Sequence, residues 1–583
     1  MISAPALQPI DLTSLRAVVA ELRSCALPCR FEKAQQPDPH TVELGLRSLE
    51  GSLWLQLSWL AEAPRLLAIP PPERLGEGST LAQQLQHGLR GLALVALEQP
   101  PWERVVELGF APRPGEAVER SLVLELMGRH SNLFLLDPER RVIALGRQVR
   151  AAQSRVRPIG TGDPYQPPPP ASGEPPSGSE SQESWRRRLL LLPLPLGKAL
   201  LSAYQGTSPS LVRQLLPEPD WMDLPVAALD EDQWQRLWFC WRQWLEALES
   251  DRFKLWWPQP GGFCCWQSAP QAVAAATPAE NPLAINQALA IHYGALLALR
   301  QQQQRRQALE QRLQQALTRE QEQLQHQQAL LEAVSASDAL QQQADALLCL
   351  ASPSRDQIDE AQSLYRRARK LRRSVAAITQ RLELHRSRLN ELETSLTFLE
   401  QLDGSEGFAL LEEEVLALLQ PSRGKTGEAS GERRRIRPGA RAAAVPQPLE
   451  LRSASGLRLQ VGRNHRQNEW ISFRQARRGD LWLHAQELPG SHVVLKASEQ
   501  PASQPDLQLA ADLAAWFSRG RGNGRVPVVM VPVETLQRIP GAVAGTVRHR
   551  GGDVLWGEPQ RALPLLQAQA GNAAGAMAAA EGL

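Results

Sequence analysis

The segment ELMGRHSNLFLLD (residues 125–137) contains the residue types of a nucleophilic active site. His130 could act as a base, Ser131 as a nucleophile and Asp137 as the orienting acid. That chemistry needs a base within hydrogen-bond reach of the nucleophile, whereas adjacent side chains on a hairpin point away from each other. The chain also has no G-x-S-x-G elbow. We therefore interpret Gly128–Asn132 as a binding loop or as a turn whose polar side chains satisfy backbone groups.

Histidine and cysteine spacing does not predict a metal site. His484 and His492 lie eight residues apart in DLWLHAQELPGSHVVLK, without a cysteine or acidic residue at ligand spacing. The six cysteines show no paired C-x-x-C spacing and are too few for a disulfide scaffold. We expect neither metal nor cofactor. Ser491 and His492 follow Pro489 and Gly490, so they form either a turn entering a strand or a polar loop offered to an RNA backbone.

Glu103 and Arg104 open a strand-like segment in EQPPWERVVELGF. Such neighbours can form a surface ion pair of little energetic weight. Alternatively, both side chains hydrogen-bond base or sugar edges of an RNA, with Arg donating and Glu accepting. The residues alone favour the surface pair.

Two basic zones stand out in a chain whose net charge is only +2. In residues 366–373 every position outside the seam of a predicted coiled coil is a cation: Arg366, Arg367, Arg369, Lys370, Arg372 and Arg373. Solvated helices usually mix charge signs. Residues 431–478 hold twelve arginines, Arg463 among them, and three acids. Both zones indicate a phosphate-bearing partner, and structured RNA fits better than duplex DNA because no DNA-reading motif is present.

The elements that must position these residues predict an α+β multidomain chain. The coiled coil is predicted by leucine-rich positions that step alternately by four and three: Leu364, Ala368, Leu371, Val375, Ile378, Leu382, His385, Leu389, Leu392, Leu396 and Leu399. The predicted order is a β-rich domain at 1–164, a Pro/Ser-rich linker at 165–183, a helical domain at 184–286, an antiparallel coiled-coil hairpin at 287–402, a second linker at 403–447, a small α/β domain at 448–559 and an Ala-rich tail at 560–583.

The helical domain contains LLSAYQGTSPSLVRQLL, two apolar helices around a Gly-Thr-Ser-Pro break. This pattern predicts a helix-hairpin-helix, which can present backbone N–H groups to phosphate, or a plain interhelical turn, which we prefer. The N-terminus has no secretory signal pattern. The most apolar run, LLLLPLPL, is interrupted by prolines and too short to span a membrane. We expect a cytoplasmic protein without membrane association.

Several of these motifs together resemble the NFACT family, in the same order along almost the whole chain. They are LAQQLQHGLRG, LEQPPWERVVELGF, ELMGRHSNLFLLD, RVRPIGTGDPYQPPPP, AQSLYRRARKLRR and GRNHRQNEWISFRQARRGDLWLHAQELPGSHVVL. The resemblance implies an N-terminal domain related in fold to Fpg-type DNA glycosylases, a helix-hairpin-helix, a coiled-coil hairpin and a C-terminal RNA-binding domain.

The resemblance also implies a function in ribosome quality control. Family members bind the large ribosomal subunit that carries a stalled peptidyl-tRNA and recruit alanyl-tRNA, and the nascent chain receives an alanine tail for degradation. The ribosome forms the peptide bonds, so the resemblance implies no enzyme. Transfer RNA would be contacted by Glu103, Arg104, Arg129 and His130. Ribosomal RNA would be contacted by the six cations of 366–373 and by Arg463, His484, Ser491 and His492.

One position departs from the family pattern, which has Asp-Arg where this chain has Glu103-Arg104. The extra methylene puts alanine selectivity and tailing in question. Two other functions stay open: a surface adhesin that binds fibronectin, and a glycosylase-like repair protein. The absent signal sequence opposes the adhesin. Ile2 in place of an N-terminal proline, and the absence of a terminal four-cysteine zinc motif, oppose the repair enzyme.

Overall fold

A computed structural model describes residues 7–76, 78–170, 172–191, 193–258, 261–267, 283–334, 336–350, 352, 354–402, 405–420, 445–539 and 543–569. The chain divides into two compact units, residues 1–300 and 301–583.

In the described part of the first unit, a nine-stranded antiparallel sheet has the order β4-β3-β2-β1-β5-β6-β7-β8-β9. Its strands are β1 (Cys29–Asp38), β2 (Thr41–Arg47), β3 (Ser52–Ser58), β4 (Arg65–Ile69), β5 (Ala93–Glu98), β6 (Val105–Ala111), β7 (Arg120–Glu125), β8 (Asn132–Leu136) and β9 (Val142–Leu145). The long antiparallel sheet agrees with the β-rich character expected from the alternating apolar pattern.

Two helices accompany this sheet, α1 (Leu12–Cys25) and α2 (Thr80–Gly88). The sequence predicts α2 but not α1. Apolar residues at helical spacing, Leu15, Val18, Val19 and Leu22, are fully buried and join α1 to the core of the sheet. The Asp11 side chain caps α1 by accepting from the Ser14 backbone N–H at 2.9 Å. Asp11 followed by this periodicity is the signal that could have identified the helix.

The helical part of the first unit contains α3 (Gln182–Leu190), α4 (Leu196–Ala203), α5 (Pro209–Leu215) and α6 (Glu231–Ser250). Ser208 caps α5 and also donates its Oγ–H to the second carboxylate oxygen of Asp11 at 2.7 Å. A carboxylate of the chain itself therefore lies at the break between α4 and α5. This contact fits the plain interhelical turn better than a phosphate site.

Residues 165–183, which the sequence assigns to a linker, make specific contacts. Tyr165 is buried, and the backbone N–H of Glu174 donates to the carbonyl of Ala203 at 2.9 Å. The Glu174 carbonyl accepts from the Gln205 N–H at 3.0 Å. Proline has no backbone N–H to donate as Glu174 does, so the proline-rich composition does not predict these contacts and resembles that of a free linker.

The long helices are α7 (Ala284–Val334), α8 (Ala336–Leu348), α9 (Arg355–Gln401) and α10 (Ser405–Leu419). Within the second unit, α9 runs antiparallel to α7 and α8, as the heptad pattern predicts. His385 pairs with Glu320 at 2.7 Å, and Arg372 pairs with Asp338 at 2.6 Å. Ala368, Ile378, Leu382, Leu392 and Leu399 of the predicted seam are buried.

Helix α10 falls inside the segment that the sequence assigns to a linker at 403–447. Phe408, Leu411 and Val415 are buried against Leu313 and Phe398 of the coiled coil. An apolar face at helical spacing explains why this stretch packs. Residues 421–444 of the same predicted linker lie outside the described residues, as does the end of the Ala-rich tail from residue 570.

The C-terminal part of the second unit contains, in the described residues, a six-stranded antiparallel sheet of order β10-β11-β13-β12-β14-β17. The strands are β10 (Leu449–Arg452), β11 (Arg458–Val461), β12 (Leu481–Ala485), β13 (Val493–Leu495), β14 (Val526–Pro532) and β17 (Asp553–Gly557); β15 (Gln537–Arg538) and β16 (Val547–Arg548) pair separately. The predicted helix α12 (Gln504–Trp516) covers one face, and a short helix α11 (His465–Trp470) was not predicted.

Across the described ranges, no helix has the length and apolar character needed to cross a membrane.

Candidate nucleic-acid interface

The segment at 125–137 forms a β-hairpin. Strands β7 and β8 pair with Glu125 opposite Asn132, and a 3-10 turn at Gly128–His130 connects them. Gly128 has a φ of 58°, a left-handed conformation that glycine adopts without strain. The Arg129 and His130 side chains at the tip are exposed, and Arg129 Nε donates to His130 Nε2 at 3.0 Å.

The other two polar residues of the turn are buried and hold its backbone. Ser131 Oγ accepts from the Met127 N–H at 2.8 Å. Asn132 accepts from the Arg147 N–H at 2.8 Å and donates to the Arg147 carbonyl at 2.7 Å. Ser131 and Asn132 therefore build the turn, as one interpretation of the motif predicts. Arg129 and His130 face outward, and a binding role for these two residues stays a prediction.

Glu103 and Arg104 lie beside this hairpin. The Arg104 carbonyl accepts from the Leu126 N–H at 2.9 Å, and Val105, the first residue of β6, is paired with Glu125 at the end of β7. The structure thus brings two motifs separated by more than twenty residues to one end of the sheet.

The Glu103 and Arg104 side chains are half-buried and form no ion pair with each other within the described structure. Burial raises the pKa of Glu103; nearby Glu125 adds to this rise and Arg104 opposes it. A carboxyl group with a raised pKa and a partly exposed guanidinium at the same edge can accept and donate hydrogen bonds to polar groups of a ligand. The geometry therefore differs from the surface ion pair that the residues alone favour.

A buried network supports this edge, and no local pattern in the sequence predicts it. Glu125 accepts from Arg157 Nη1 at 2.8 Å, from Arg157 Nη2 at 2.6 Å and from the Tyr165 hydroxyl at 2.9 Å. Burial and the Glu125 carboxylate raise the pKa of Tyr165, so its hydroxyl stays a donor. The motif RVRPIGTGDPYQPPPP contained both partners, but their meeting with Glu125 depends on the fold.

The second candidate region is the cationic stripe of α9, defined as Arg366, Arg367, Arg369, Lys370, Arg372 and Arg373. All six side chains are exposed, whereas Ala368 of the seam is buried. Arg372 pairs with Asp338 and also donates to Gln341 at 2.7 Å. Among the described residues the other five cations form no ion pair, so this helix presents concentrated positive charge.

The four predicted residues of the C-terminal domain are less accessible. Ser491 and His492 are buried at 0% and 4% exposure, so they do not form the polar loop that one interpretation proposed. The Ser491 N–H donates to the Phe517 carbonyl at 2.8 Å, and His492 Nδ1 is 2.8 Å from Ser472 Oγ. Arg463 and His484 are half-buried. These contacts fit the alternative interpretation of a turn entering a strand.

His484 and His492 instead form an aromatic cluster around Trp482. The His484 ring stacks on Trp482 at 5.5 Å between centroids, and His492 meets the Trp482 ring edge-on at 4.9 Å. Burial lowers the pKa of His484 to about 4 and that of His492 well below its ordinary value. Both rings are therefore neutral at neutral pH. Over the described ranges, no group of three or more His, Cys, Asp or Glu side chains is arranged to hold a metal ion.

Comparison with known proteins gives a family match over residues 11–356, to the NFACT N-terminal and middle domains. "Rqc2 homolog RqcH" of Streptococcus pneumoniae is 26% identical over 573 residues, which covers 93% of this chain and 96% of that protein. The Streptococcus suis protein of the same name is 24% identical over 576 residues, with the same coverage. The Bacillus subtilis protein of that name is 42% identical over 97 residues, or 17% of each chain.

Among solved structures, the N-terminal part of the fibronectin/fibrinogen-binding protein from Streptococcus suis matches 49% of this chain and 99% of its own, with 20% identity and a TM-score of 0.38. The C-terminal part of that protein matches 44% of this chain and 95% of its own, with 26% identity and a TM-score of 0.35.

Proposed function

The chain belongs to the NFACT family, and from this premise we propose that it is a cytoplasmic ribosome quality-control factor. It binds large ribosomal subunits that carry a stalled peptidyl-tRNA, and it recruits alanyl-tRNA so that the nascent chain receives a C-terminal alanine tail. The ribosome forms each peptide bond. The protein itself has to hold RNA in position, which requires cations and hydrogen-bonding groups rather than a nucleophile.

The observation that carries this proposal is the meeting of two motifs at one sheet edge. The Leu126 N–H donates to the Arg104 carbonyl, which places Glu103 and Arg104 beside the hairpin that presents Arg129 and His130. Two guanidinium groups can contact phosphates, and Glu103 and His130 can hydrogen-bond base or ribose groups. We assign the tRNA contact to these four residues.

We assign ribosomal RNA binding to the cationic stripe of α9. The stripe lies on a long antiparallel helix pair, and at about 1.5 Å per residue an arm of some forty residues reaches about 60 Å. Cations on such an arm can neutralise phosphates of the subunit and release their counterions. In the C-terminal domain, Arg463 and His484 remain candidates for RNA contact. Ser491 and His492 are buried and would hold the surrounding backbone in place.

The test is to purify the tagged protein from cells and sequence the RNA that accompanies it. Enrichment of large-subunit rRNA together with alanine tRNA supports the whole proposal and makes Glu103 a working substitute for Asp. Large-subunit rRNA without a particular tRNA supports subunit binding alone and contradicts the recruitment step. Absence of ribosomal RNA contradicts the proposal, and recovery at the cell envelope or with DNA would favour the adhesin or the repair protein.

A further inference from the structure

A groove of about 1090 Å³ opens beside the coiled coil within the second unit. It is named the α10 groove after the helix that ends in it. Its walls come from α7, α9, the end of α10 and the loop after β15, and its lining includes Arg312, Arg319, Leu384, Leu416, Leu419 and Ile539. Sites for drug-sized ligands occupy about 300–1,000 Å³, so a groove of this size suits a segment of polypeptide.

The α10 groove continues the position that α10 occupies on the coiled coil. Near the start of α10, Glu412 pairs with Arg305 of α7, and near its end the Leu418 carbonyl accepts from Arg388 of α9. Helix α10 ends at Leu419, whereas α7 and α9 continue past this level. The next turns of the helix pair therefore offer a place for another helix in line with α10.

Apolar side chains of the groove are exposed where such a helix would pack. Leu384 lies outside the coiled-coil seam and is 66% exposed, and Leu416 of α10 is 37% exposed. Leu419 and Ile539 beside them are half-buried. Among the described lining residues His385 carries the only aromatic ring, so the groove offers little surface for stacking a nucleobase. Exposed apolar side chains that share one groove are typical of a protein contact site.

The acidic side chains of the groove already have partners. Glu320 Oε2 lies 2.7 Å from His385 Nδ1, and Glu391 lies 3.6 Å from Arg388. Glu391 also accepts from the Ser387 hydroxyl at 3.4 Å. These carboxylates are engaged, so they do not neutralise the other two arginines of the groove.

Arg312 and Arg319 are those two arginines. Both are exposed, and neither pairs with an acidic side chain within the described ranges. They lie seven residues apart on α7, so both point from the same face of the helix at a separation of about 10 Å. The chain's own residues 421–444 contain seven cations and two acids. Because this charge has the same sign as the two arginines, an acidic partner fits the groove better than that segment.

We propose that the α10 groove binds an amphipathic α-helix of a partner protein, apolar on one face and acidic along one flank. The apolar face packs on Leu384 and Leu416, in line with α10. Two carboxylates about two helical turns apart pair with Arg312 and Arg319. Helices that bind in grooves use apolar anchors at this kind of spacing. The inference goes beyond the proposed function, because it concerns a protein partner and does not depend on tRNA or rRNA binding.

Photo-crosslinking in cells tests which molecule occupies the groove. The full chain carries p-benzoyl-phenylalanine in place of Leu384, whose exposure allows the replacement without loss of core packing. We expect mass spectrometry to identify a crosslinked peptide of another protein, with apolar residues at helical spacing and acidic residues about two turns apart. The control carries the same group in place of Leu410, an exposed leucine of α10 outside the groove lining, and should not yield this peptide.

A synthetic peptide of the crosslinked sequence then measures affinity for the purified full chain by fluorescence anisotropy. Arg312→Glu combined with Arg319→Glu should weaken binding roughly 5- to 30-fold, because two attractive pairs become repulsive. A peptide with lysine in place of its two acidic residues should restore binding to this variant. Arg355→Glu combined with Arg381→Glu makes the same change of charge on exposed residues outside the groove lining and should leave affinity nearly unchanged.

Several results would overturn the proposal. They are crosslinks from position 384 to RNA, to residues 421–444, to a second copy of the chain or to a peptide without the acidic amphipathic pattern, and a yield no higher than that of the Leu410 control. Equal affinity of the peptide for the unmodified chain and for the Arg312→Glu, Arg319→Glu variant would overturn it as well. None of these results bears on the proposed function, which the RNA that accompanies the purified protein tests separately.

Discussion

Arg157 and Glu125 form a two-point ion pair beneath the hairpin, with nitrogen–oxygen distances of 2.8 and 2.6 Å. Glu125 is 1% exposed, and it ends the strand whose next residue, Leu126, hydrogen-bonds to the carbonyl of Arg104. The buried pair therefore connects the hairpin, the start of β6 and the segment after β9. Its carboxylate is buried, and it supports the backbone that carries the proposed tRNA-binding residues.

Arg157→Met should destabilise the first unit by about 3–5 kcal/mol, because it leaves a buried carboxylate without its cation. Glu125→Gln combined with Arg157→Met should be less damaging, since the buried charge is removed as well. Hydrogen exchange of β7 and β8 in urea measures both effects. The control is Arg47→Met, whose pair with Glu32 is largely exposed, and it should have a much smaller effect. If Arg157→Met and Arg47→Met lowered stability equally, the role given to Glu125 would be contradicted.

Arg104→Ala should reduce tRNA retention and leave large-subunit binding mostly intact, because the proposed tRNA and subunit contacts lie on different elements. Filter binding with tRNA and sedimentation with purified large subunits measure the two activities separately. Arg113→Ala, which removes an exposed cation from the turn after β6, is the control and should change neither. If Arg104→Ala reduced tRNA retention and large-subunit binding together, the two contacts would not be separate.

Glu103→Asp should keep tRNA binding, and Glu103→Gln should change it. Aspartate restores the family residue and shortens the side chain by one methylene. Glutamine keeps the shape of the side chain and replaces one acceptor oxygen with a donor. Titration of each variant with alanine tRNA and with a second, unrelated tRNA measures affinity and selectivity. Identical selectivity in all three proteins would remove Glu103 from the recognition model.

Replacing Arg366, Arg367, Arg369 and Lys370 with glutamate should weaken association with the large subunit and flatten its salt dependence. Each lost phosphate contact lowers the slope of log K against log salt by roughly 0.7–0.9, so four contacts correspond to a decrease of about 3. Sedimentation at several KCl concentrations measures this slope. Arg381→Glu with Arg386→Glu changes cations of the same helix outside the stripe and should have little effect. An unchanged slope in the fourfold variant would exclude the stripe from binding.

Acidification should destabilise the second unit through its buried histidines. Burial lowers the pKa of His465 to about 4, against roughly 6.5 in an unfolded chain. Between these values the unfolded state binds more protons, so stability is full above pH 6.5 and falls as the pH drops towards 4. The loss from His465 alone is about 2 kcal/mol at pH 5, and His484 and His492 act in the same direction.

Glu414 acts in the opposite direction, because burial raises its pKa to about 7. Its protonated form favours the folded state, and this contribution is lost as the pH rises through 7. Three buried histidines oppose this single carboxyl group. We therefore expect a net loss of stability from pH 7 to pH 5, measured by urea unfolding at each pH. His465→Gln should make the pH dependence of stability shallower. The control is His87→Gln, which replaces an exposed histidine of the first unit and should leave that dependence unchanged. A steeper dependence in His465→Gln would contradict the assignment.

The amino-acid sequence determined the features that depend on local periodicity and composition. A repeat of four and three residues defines the coiled-coil seam, so it also predicts that the six cations from Arg366 to Arg373 lie on the exposed surface. Alternating apolar residues on both sides of Gly128–Asn132 predict the hairpin. Asp11 and the apolar spacing after it contain a helix signal for α1, but the short apolar runs that follow favour strands.

Tertiary structure decided which distant residues meet and which become buried. The adjacency of Arg104 and Leu126 depends on the pairing of β6 with β7, and the pair between Arg157 and Glu125 depends on how the chain returns after β9. Ser491 and His492 have the composition of an exposed loop, yet contacts with distant residues bury them. Local patterns specify the period of a helix or strand, whereas depth of burial and strand register depend on packing between segments far apart in the chain.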